Sequence, residues 1–195
     1  MKRIFDFTLA LIGLIIISPA FLVIAIVNKI SAKEVFFIQD RIGAGFKPFR
    51  MYKFATMVKN AHIAGGTVTY NGDPRVTRLG AIFRNTKLNE LPQLINVLKG
   101  DMSFVGPRPL PSKEIAIYDD SIAKKIYSIR PGITGLGSLY FFNEERLLSN
   151  DKHIAENFFK NTIVPQKADL ELWYVDNRTF LFDLKVIIAT LSLAF

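Results

Sequence analysis

Phe7–Val27 reads FTLALIGLIIISPAFLVIAIV, 21 consecutive residues without a charge. A straight helix of that length reaches about 31 Å, enough to cross the hydrocarbon core of a bilayer. Pro19 stands inside the run, where it removes one backbone hydrogen bond and favours a bend. Ser18 precedes it and can satisfy a freed backbone carbonyl. Basic residues flank both ends, Lys2 and Arg3 before and Lys29 and Lys33 after, whereas a spanning helix has one basic side. Two readings therefore stand level: a helix that enters, bends at Ser18-Pro19 and returns to the same face, and an ordinary crossing. In the first, the pieces on either side of Pro19 reach about 18 Å and 12 Å, one leaflet at most. A cleaved signal peptide fits less well, because the run exceeds the usual apolar stretch and no small-x-small cleavage site follows it.

Outward from this segment, the chain is 195 residues with a net charge of +8 and an apolar content of 50%. That is the length of one domain with an appendage, and too apolar for disorder. There is no cysteine and only two histidines, His62 and His153. Disulfide scaffolds, thiolate metal sites and cysteine nucleophiles are excluded, and so is a histidine metal cage. The basic balance calls for an anionic partner, and the mean hydropathy of +0.24 points toward a membrane. At the other end, Val186–Phe195 is uncharged but too short to span, and Phe180–Phe182 extend its apolar character. We read it as an interfacial helix.

Between these ends, Val35–Arg41 and Phe49–Met57 have strand composition, and Gly43, Gly45 and Pro48 between them make a hairpin. Arg41, Lys47, Arg50, Lys53 and Lys59 are interleaved there with aromatics. Such a pattern can bind nucleic acid, but with an apolar anchor thirty residues away a headgroup-facing surface is the better reading, and no nucleic-acid partner is expected. Residues 62–72 read as a loop, continued by Asp73-Pro74-Arg75. Leu88–Gly100 carries a helical apolar face at Leu91, Leu94, Ile95 and Leu98, with Asn89 as N-cap and Gly100 past its C-terminus. Two rigid arginine loops follow, Pro107-Arg108-Pro109 and Arg130-Pro131-Gly132. Beside a helix N-terminus they suit an anion. P-loop, dinucleotide and serine-hydrolase motifs are absent.

These motifs, taken in order, resemble the bacterial sugar transferases, the monotopic polyprenyl-phosphate phosphoglycosyl transferases. The resemblance runs from Lys2-Arg3-x-Phe5-Asp6 and the Ser18-Pro19 break through Phe36-Phe37-x-Gln39-x-Arg41-x-Gly43, Lys53-Phe54-x-Thr56-Met57 and Asp73-Pro74-Arg75-Val76-Thr77-Arg78. It continues in Leu91-Pro92-Gln93-Leu94-x-Asn96, Val105-Gly106-Pro107-Arg108-Pro109 and Pro131-Gly132-Ile133-Thr134-Gly135. Asn143-Glu144-Glu145, Pro165-x-Lys167 and Asp183-Leu184-Lys185 close it. It implies an α/β protein on the cytoplasmic face of the bacterial inner membrane. Residues 1–30 would form a kinked re-entrant membrane helix, and 31–195 a small cytoplasmic domain of β-hairpin plus helices. It implies transfer of a phosphosugar from a UDP-sugar to polyprenyl phosphate, with release of UMP and a requirement for Mg²⁺, as the first membrane step of a surface glycan. A homodimer is left open. Arg75, Arg78, Arg84, Pro107, Arg108, Pro109 and Arg130 take the substrate-binding positions, and Glu90 the metal-ligand position, with Asp101 a weaker second that also reads as a turn residue.

The family's Asp-Glu dyad, whose Asp forms a covalent phosphosugar intermediate, stands here as Asn89-Glu90. An amide is neutral and a poor nucleophile, while Asn and Asp cap helices about equally well. Three explanations stay open: a pseudo-enzyme or partner subunit on the same fold, an active enzyme using Glu90 or direct attack by the lipid phosphate, and a laboratory change that traps substrate. Ala55 is a second departure, at a position where the family usually has Arg.

Overall fold

The computed structural model describes residues 1–61, 69, 72–149 and 151–194. The loop expected over 62–72 lies mostly outside them.

Helix α1 (Lys2–Ser31) runs through Pro19 without interruption. The N–H that Pro19 lacks would have bonded the Ile15 carbonyl four residues back. Ser18 Oγ donates to that carbonyl instead, at 2.8 Å. One stripe of α1 faces the rest of the chain: Asp6, Ala10, Ile24 and Asn28 are buried, with Leu14, Ile17 and Phe21 partly so. Their spacing of three and four residues is the period of one helix face. The other face is bare and apolar, with Ile4, Ile15, Ile16, Leu22, Val23 and Ile30 all more than half exposed.

Every residue of the Lys2-Arg3-x-Phe5-Asp6 motif has a partner in the domain. Lys2 pairs with Asp183, and Arg3 donates to the carbonyls of Val97 (2.5 Å) and Leu98 (2.8 Å). Phe5 meets Phe180 edge to face at 5.1 Å, and Asp6 accepts from Ser103 Oγ at 2.8 Å. At the far end Asn28 Nδ2 donates to the Val35 carbonyl at 3.3 Å.

The hairpin expected from sequence is present: β1 (Phe36–Ile42) pairs antiparallel with β2 (Pro48–Phe54) through a turn in which Gly45 adopts φ +64°. It packs against the middle of α1 through Phe21, Phe36 and Phe54. Asn96 joins it to the next helix: its side-chain amide takes the N–H of Tyr52 (3.1 Å) and donates to the Arg50 carbonyl (2.7 Å).

After α2 (Arg78–Asn85), capped by Thr77 Oγ1, the expected helix over 88–100 is divided. Leu88–Glu90 is a 3₁₀ turn, and α3 covers Gln93–Lys99 with Pro92, not Asn89, at its N-cap. Proline accounts for the correction. Pro92 has no N–H to bond the Leu88 carbonyl, so Leu91 makes that bond at 3.3 Å with a shorter step. Gly100 ends α3 at φ +91°, as its place in the sequence indicates.

A second sheet is two short parallel strands, β3 (Ser103–Val105) and β4 (Gly132–Thr134). Between them lie α4 (Ser112–Ile115) and α5 (Asp120–Ile126). A Cβ on Gly106 would collide with the Arg130 carbonyl, and one on Gly132 with the Gly106 nitrogen, so these glycines permit the backbone contact. Next come α6 (Leu136–Tyr140), α7 (Glu144–Leu147), α8 (Lys152–Phe158), a π-helical turn over Phe159–Ile163 and α9 (Val164–Asn177). The last helix, α10 (Phe180–Ala194), buries Asp183 and Val186 and exposes Leu181, Ile188, Leu191 and Leu193. The chain is thus a mixed helix-and-strand fold with one N-terminal helix long and apolar enough to cross a membrane.

Candidate active site

Strand alternation delivers the first cations. On the hairpin, Asp40 and Arg50 oppose each other on an exposed face, while Arg41, Met51 and Lys53 turn inward. Arg41 and Lys53 are therefore site groups and not part of a headgroup-facing surface, a correction that period-two geometry explains. Arg41 donates to the Pro109 carbonyl (3.1 Å) and to Gln39 Oε1 (2.6 Å), and its Nε is buried without a partner among the described residues.

The 3₁₀ turn before α3 brings Glu90 to Lys53, Oε1 to Nζ at 2.9 Å. Arg108, Gln93, Pro109, Gly132 and Ile133 complete a narrow cleft around them. Burial alone would push the Glu90 carboxyl up, but Lys53, Arg108 and Lys87 outweigh it and hold it near 2. Lys53 is pulled down to about 8, by burial first and by Arg108 and Arg41 next, against the attraction of Glu90. Arg41 is lowered to about 10 by burial and Arg108. Asn89 is buried in the same turn, outside the cleft lining, and its Oδ1 has no hydrogen-bond partner among the described residues.

The Pro107-Arg108-Pro109 loop is held at every backbone polar atom. Its only N–H, that of Arg108, donates to Glu171 Oε1 at 3.3 Å. Its three carbonyls accept in turn from Gly132 N (2.9 Å), Tyr127 Oη (3.1 Å) and Arg41 Nη1 (3.1 Å). Four separate elements thus fix a loop whose two prolines already restrict φ. Arg108 also acts on a second ion pair, Lys167–Glu144, linking α9 to α7. There Lys167 is lowered by burial, and Glu144 is held below its usual range by Lys167 and Arg108 in spite of burial. Glu171 is buried, which pushes it up to about 7 against the pull of Arg108 and Lys167, and its Oε2 has no partner among the described residues.

The other expected site residues lie apart from this cleft. Arg75 grips Asp73, its Nη2 2.6 Å from Oδ2, and Arg84 donates to Thr56 Oγ1 at 3.2 Å, so both belong to the region after β2. Arg78 is exposed on α2. The two arginine loops do meet, through β3 and β4, but their side chains diverge. Arg130 donates from Nε to the Gly100 carbonyl at 2.9 Å and lines a different cavity with Lys2, Arg3 and Arg178. Asp101 accepts from Asn96 Nδ2 at 3.2 Å, outside the cleft lining, in keeping with its reading as a turn residue. Ala55 is buried just beyond β2.

The sequence reading places Arg41 and Lys53 on a headgroup-facing surface and gives Gln93, Glu144 and Lys167 no role, although all stand in the quoted motifs. Glu171 stands in none. Its one signal is its place four residues after Lys167, on the same helix face.

Comparison with known proteins gives this arrangement a context. The family model described as bacterial sugar transferase matches residues 1–195. The chain is 37% identical over 191 residues to an uncharacterized sugar transferase, EpsL, of Bacillus subtilis (strain 168), covering 97% of this chain and 85% of that protein. It is 41% identical over 138 residues to the UDP-N-acetylgalactosamine-undecaprenyl-phosphate N-acetylgalactosaminephosphotransferase of Aeromonas hydrophila, covering 69% of this chain and 33% of the relative. It is 33% identical over 198 residues to the UDP-glucose:undecaprenyl-phosphate glucose-1-phosphate transferase of Escherichia coli (strain K12), covering all of this chain and 40% of the relative. The last two relatives are thus more than twice as long as the part that this chain matches.

Proposed function

The chain belongs to the bacterial sugar transferase family, and from that premise we propose that it transfers a phosphosugar from a UDP-sugar to polyprenyl (undecaprenyl) phosphate, releasing UMP. The observation that carries the reading is the buried cleft in which Glu90 stands between Lys53 and Arg108, with Arg41 beside them. A nucleotide diphosphate brings two negative charges, and three convergent cations in a place poor in water neutralise them.

An amide at residue 89 does not open the covalent route, so we assign the attack to the acceptor itself. An oxygen of the polyprenyl phosphate bonds the β-phosphorus as the bond from that phosphorus to the bridging oxygen breaks. The electron pair leaves with UMP. A phosphate dianion needs no general base, and a carboxylate held near 2 is a weak one. Arg108, fixed by its loop, orients the diphosphate, and Lys53 and Arg41 take up charge as it moves to the leaving phosphate.

Among the described residues no three acidic or histidine side chains converge. A hard dication takes one or two carboxylates together with phosphate oxygens. The ionised Glu90 fits as that carboxylate, and the unpartnered Asn89 Oδ1 is a neutral oxygen donor in the same turn. We assign Mg²⁺ to Glu90 on this ground; when bound it would add charge neutralisation at the diphosphate.

We read α1 as lying within one leaflet, on the cytoplasmic side of the inner membrane, with α10 at the interface. The support is that both ends of α1 are bonded to the same domain, Lys2 to Asp183 and Asn28 to Val35, while its opposite face is bare and apolar. The test of function is UMP release by the chain in lipid nanodiscs, with polyprenyl phosphate and a panel of UDP-sugars including UDP-glucose and UDP-N-acetylgalactosamine. Asn89→Asp is the positive control. Acceptor-dependent UMP from the Asn89 protein is expected; turnover by Asn89→Asp alone would mean that this chain keeps the fold without the transfer.

A further inference from the structure

The transfer reading leaves one buried acid without a role. Glu171, on α9, is 3% exposed, and it meets the cleft only through the Arg108 loop. Its Oε1 accepts the Arg108 N–H at 3.3 Å. A Cβ on Gly137 would stand 2.7 Å from Oε1, so a glycine is what lets α6 close over the acid. The loop it meets has proline on both sides of Arg108, so three residues share a single N–H, and Glu171 is where that N–H goes. The acid thus takes the loop's one backbone donor, while the three carbonyls are held from other elements.

We propose that Glu171 is the positioning residue for Arg108: by holding the one N–H of the Pro107–Pro109 loop against α9, it sets where the guanidinium stands over the Glu90–Lys53 pair. The charged groups facing it are Arg108 and Lys167, and the neutral phenols are Tyr118, Tyr127 and Tyr174. A charged acceptor holds an N–H more tightly than a neutral one. The loop is therefore held best when Glu171 is ionised, and burial sets that ionisation near pH 7.

The test has one arm that needs no turnover. A peptide cut across Pro107–Pro109 has Arg108 as its only exchangeable backbone amide in that loop, so hydrogen exchange on the full chain in nanodiscs reads it directly. Glu171→Ala is expected to speed that amide at least about tenfold, while Glu171→Gln, which keeps an acceptor oxygen, stays within about threefold of wild type. The second arm rests on the phosphosugar reading: Glu171→Ala raises KM for the UDP-sugar about tenfold. Wild-type KM falls as pH rises through 7, and Glu171→Gln loses that dependence. Unchanged exchange at Arg108 in Glu171→Ala, or faster exchange spread evenly over the domain, overturns the inference. If no UDP-sugar yields UMP, the functional reading falls while the exchange arm still decides this one.

Discussion

Two basic cavities share the Arg130–Ile133 segment as a wall, and they use their charges differently. The larger, about 550 Å³, is lined by Lys2, Arg3, Arg130 and Arg178. Its cations are mostly engaged in structure: Arg3 and Arg130 reach the carbonyls of Val97, Leu98 and Gly100 at the C-terminal end of α3, and Lys2 pairs with Asp183. Cations at that end of a helix meet orphan carbonyls and the negative end of its dipole. The narrow cleft holds the partly buried Arg41, Lys53, Glu90 and Arg108, with displaced ionisation, and two nearby polar atoms, Asn89 Oδ1 and Arg41 Nε, have no partner among the described residues. Volume does not mark the site. The larger cavity directs most of its cations to carbonyls and a carboxylate of the chain, and the narrow cleft crowds three cations around one carboxylate.

The contrast is sharpest at the ion pairs. Lys53 and Glu90 are only 16% and 18% exposed at their side chains, and removing one partner strands the other, so Lys53→Met is expected to lower unfolding free energy by about 3 kcal/mol in chemical denaturation. Lys2, 40% exposed at its side chain, is expected to lose less than about 1 kcal/mol when changed to Met. Equal losses would break the comparison.

Next come the two loop arginines. Arg108→Ala is expected to lower kcat/KM for the UDP-sugar by about 10²–10³ with little change in Tm. Arg130→Ala should leave kcat/KM within about fivefold and lower stability by about 1 kcal/mol, the worth of a hydrogen bond to a helix end. The reverse ranking would place the substrate in the larger cavity.

The pH dependence separates the cavities further. Glu90 is held near 2 in the fold, so its stabilising contribution is complete above about pH 4.5 and lost as pH falls toward 2. Lys53 releases its proton near 8 in the fold. Between there and its ordinary 10.5 the unfolded chain holds the extra proton, so stability rises with pH while catalytic charge is lost. We expect kcat/KM to fall by about tenfold per pH unit above about 8, and the fall to vanish in Lys53→Arg. The smallest effect on turnover is that of Arg3→Ala, with KM unchanged and about 1–2 kcal/mol of stability lost, read from denaturation and initial rates side by side.

Much of this was legible in the residues. The apolar run of α1, the role of Ser18 beside Pro19, the hairpin and the Gly100 stop follow from local rules, since each depends on spacing or on one side chain's backbone preference. The start of α3 was misplaced because a missing N–H at Pro92 outranked the capping ability of Asn89. Of the residues expected at a site, Glu90 and Arg108 line one cleft. Arg130 was grouped with Arg108 because both stand in proline-bearing loops, and loop composition carries no information about the direction of a guanidinium. Arg41 and Lys53 read from sequence as a headgroup-facing surface because an apolar anchor lies thirty residues away, and nearness in sequence does not say which face of a strand a charge occupies.

The order of residues alone determined that the chain carries a bilayer-length apolar helix, a basic hairpin, two rigid arginine loops and an amide, Asn89, directly before Glu90. Those features reside in local chemistry and survive any arrangement of the elements. Only the tertiary structure decided that Arg41, Lys53, Glu90 and Arg108 share one buried cleft, that Arg130 turns away from it, and that Glu171 holds the Arg108 loop from sixty-three residues away. Those facts depend on which distant surfaces pack together, and the burial and neighbouring charges that displace ionisation in the cleft exist only once they have.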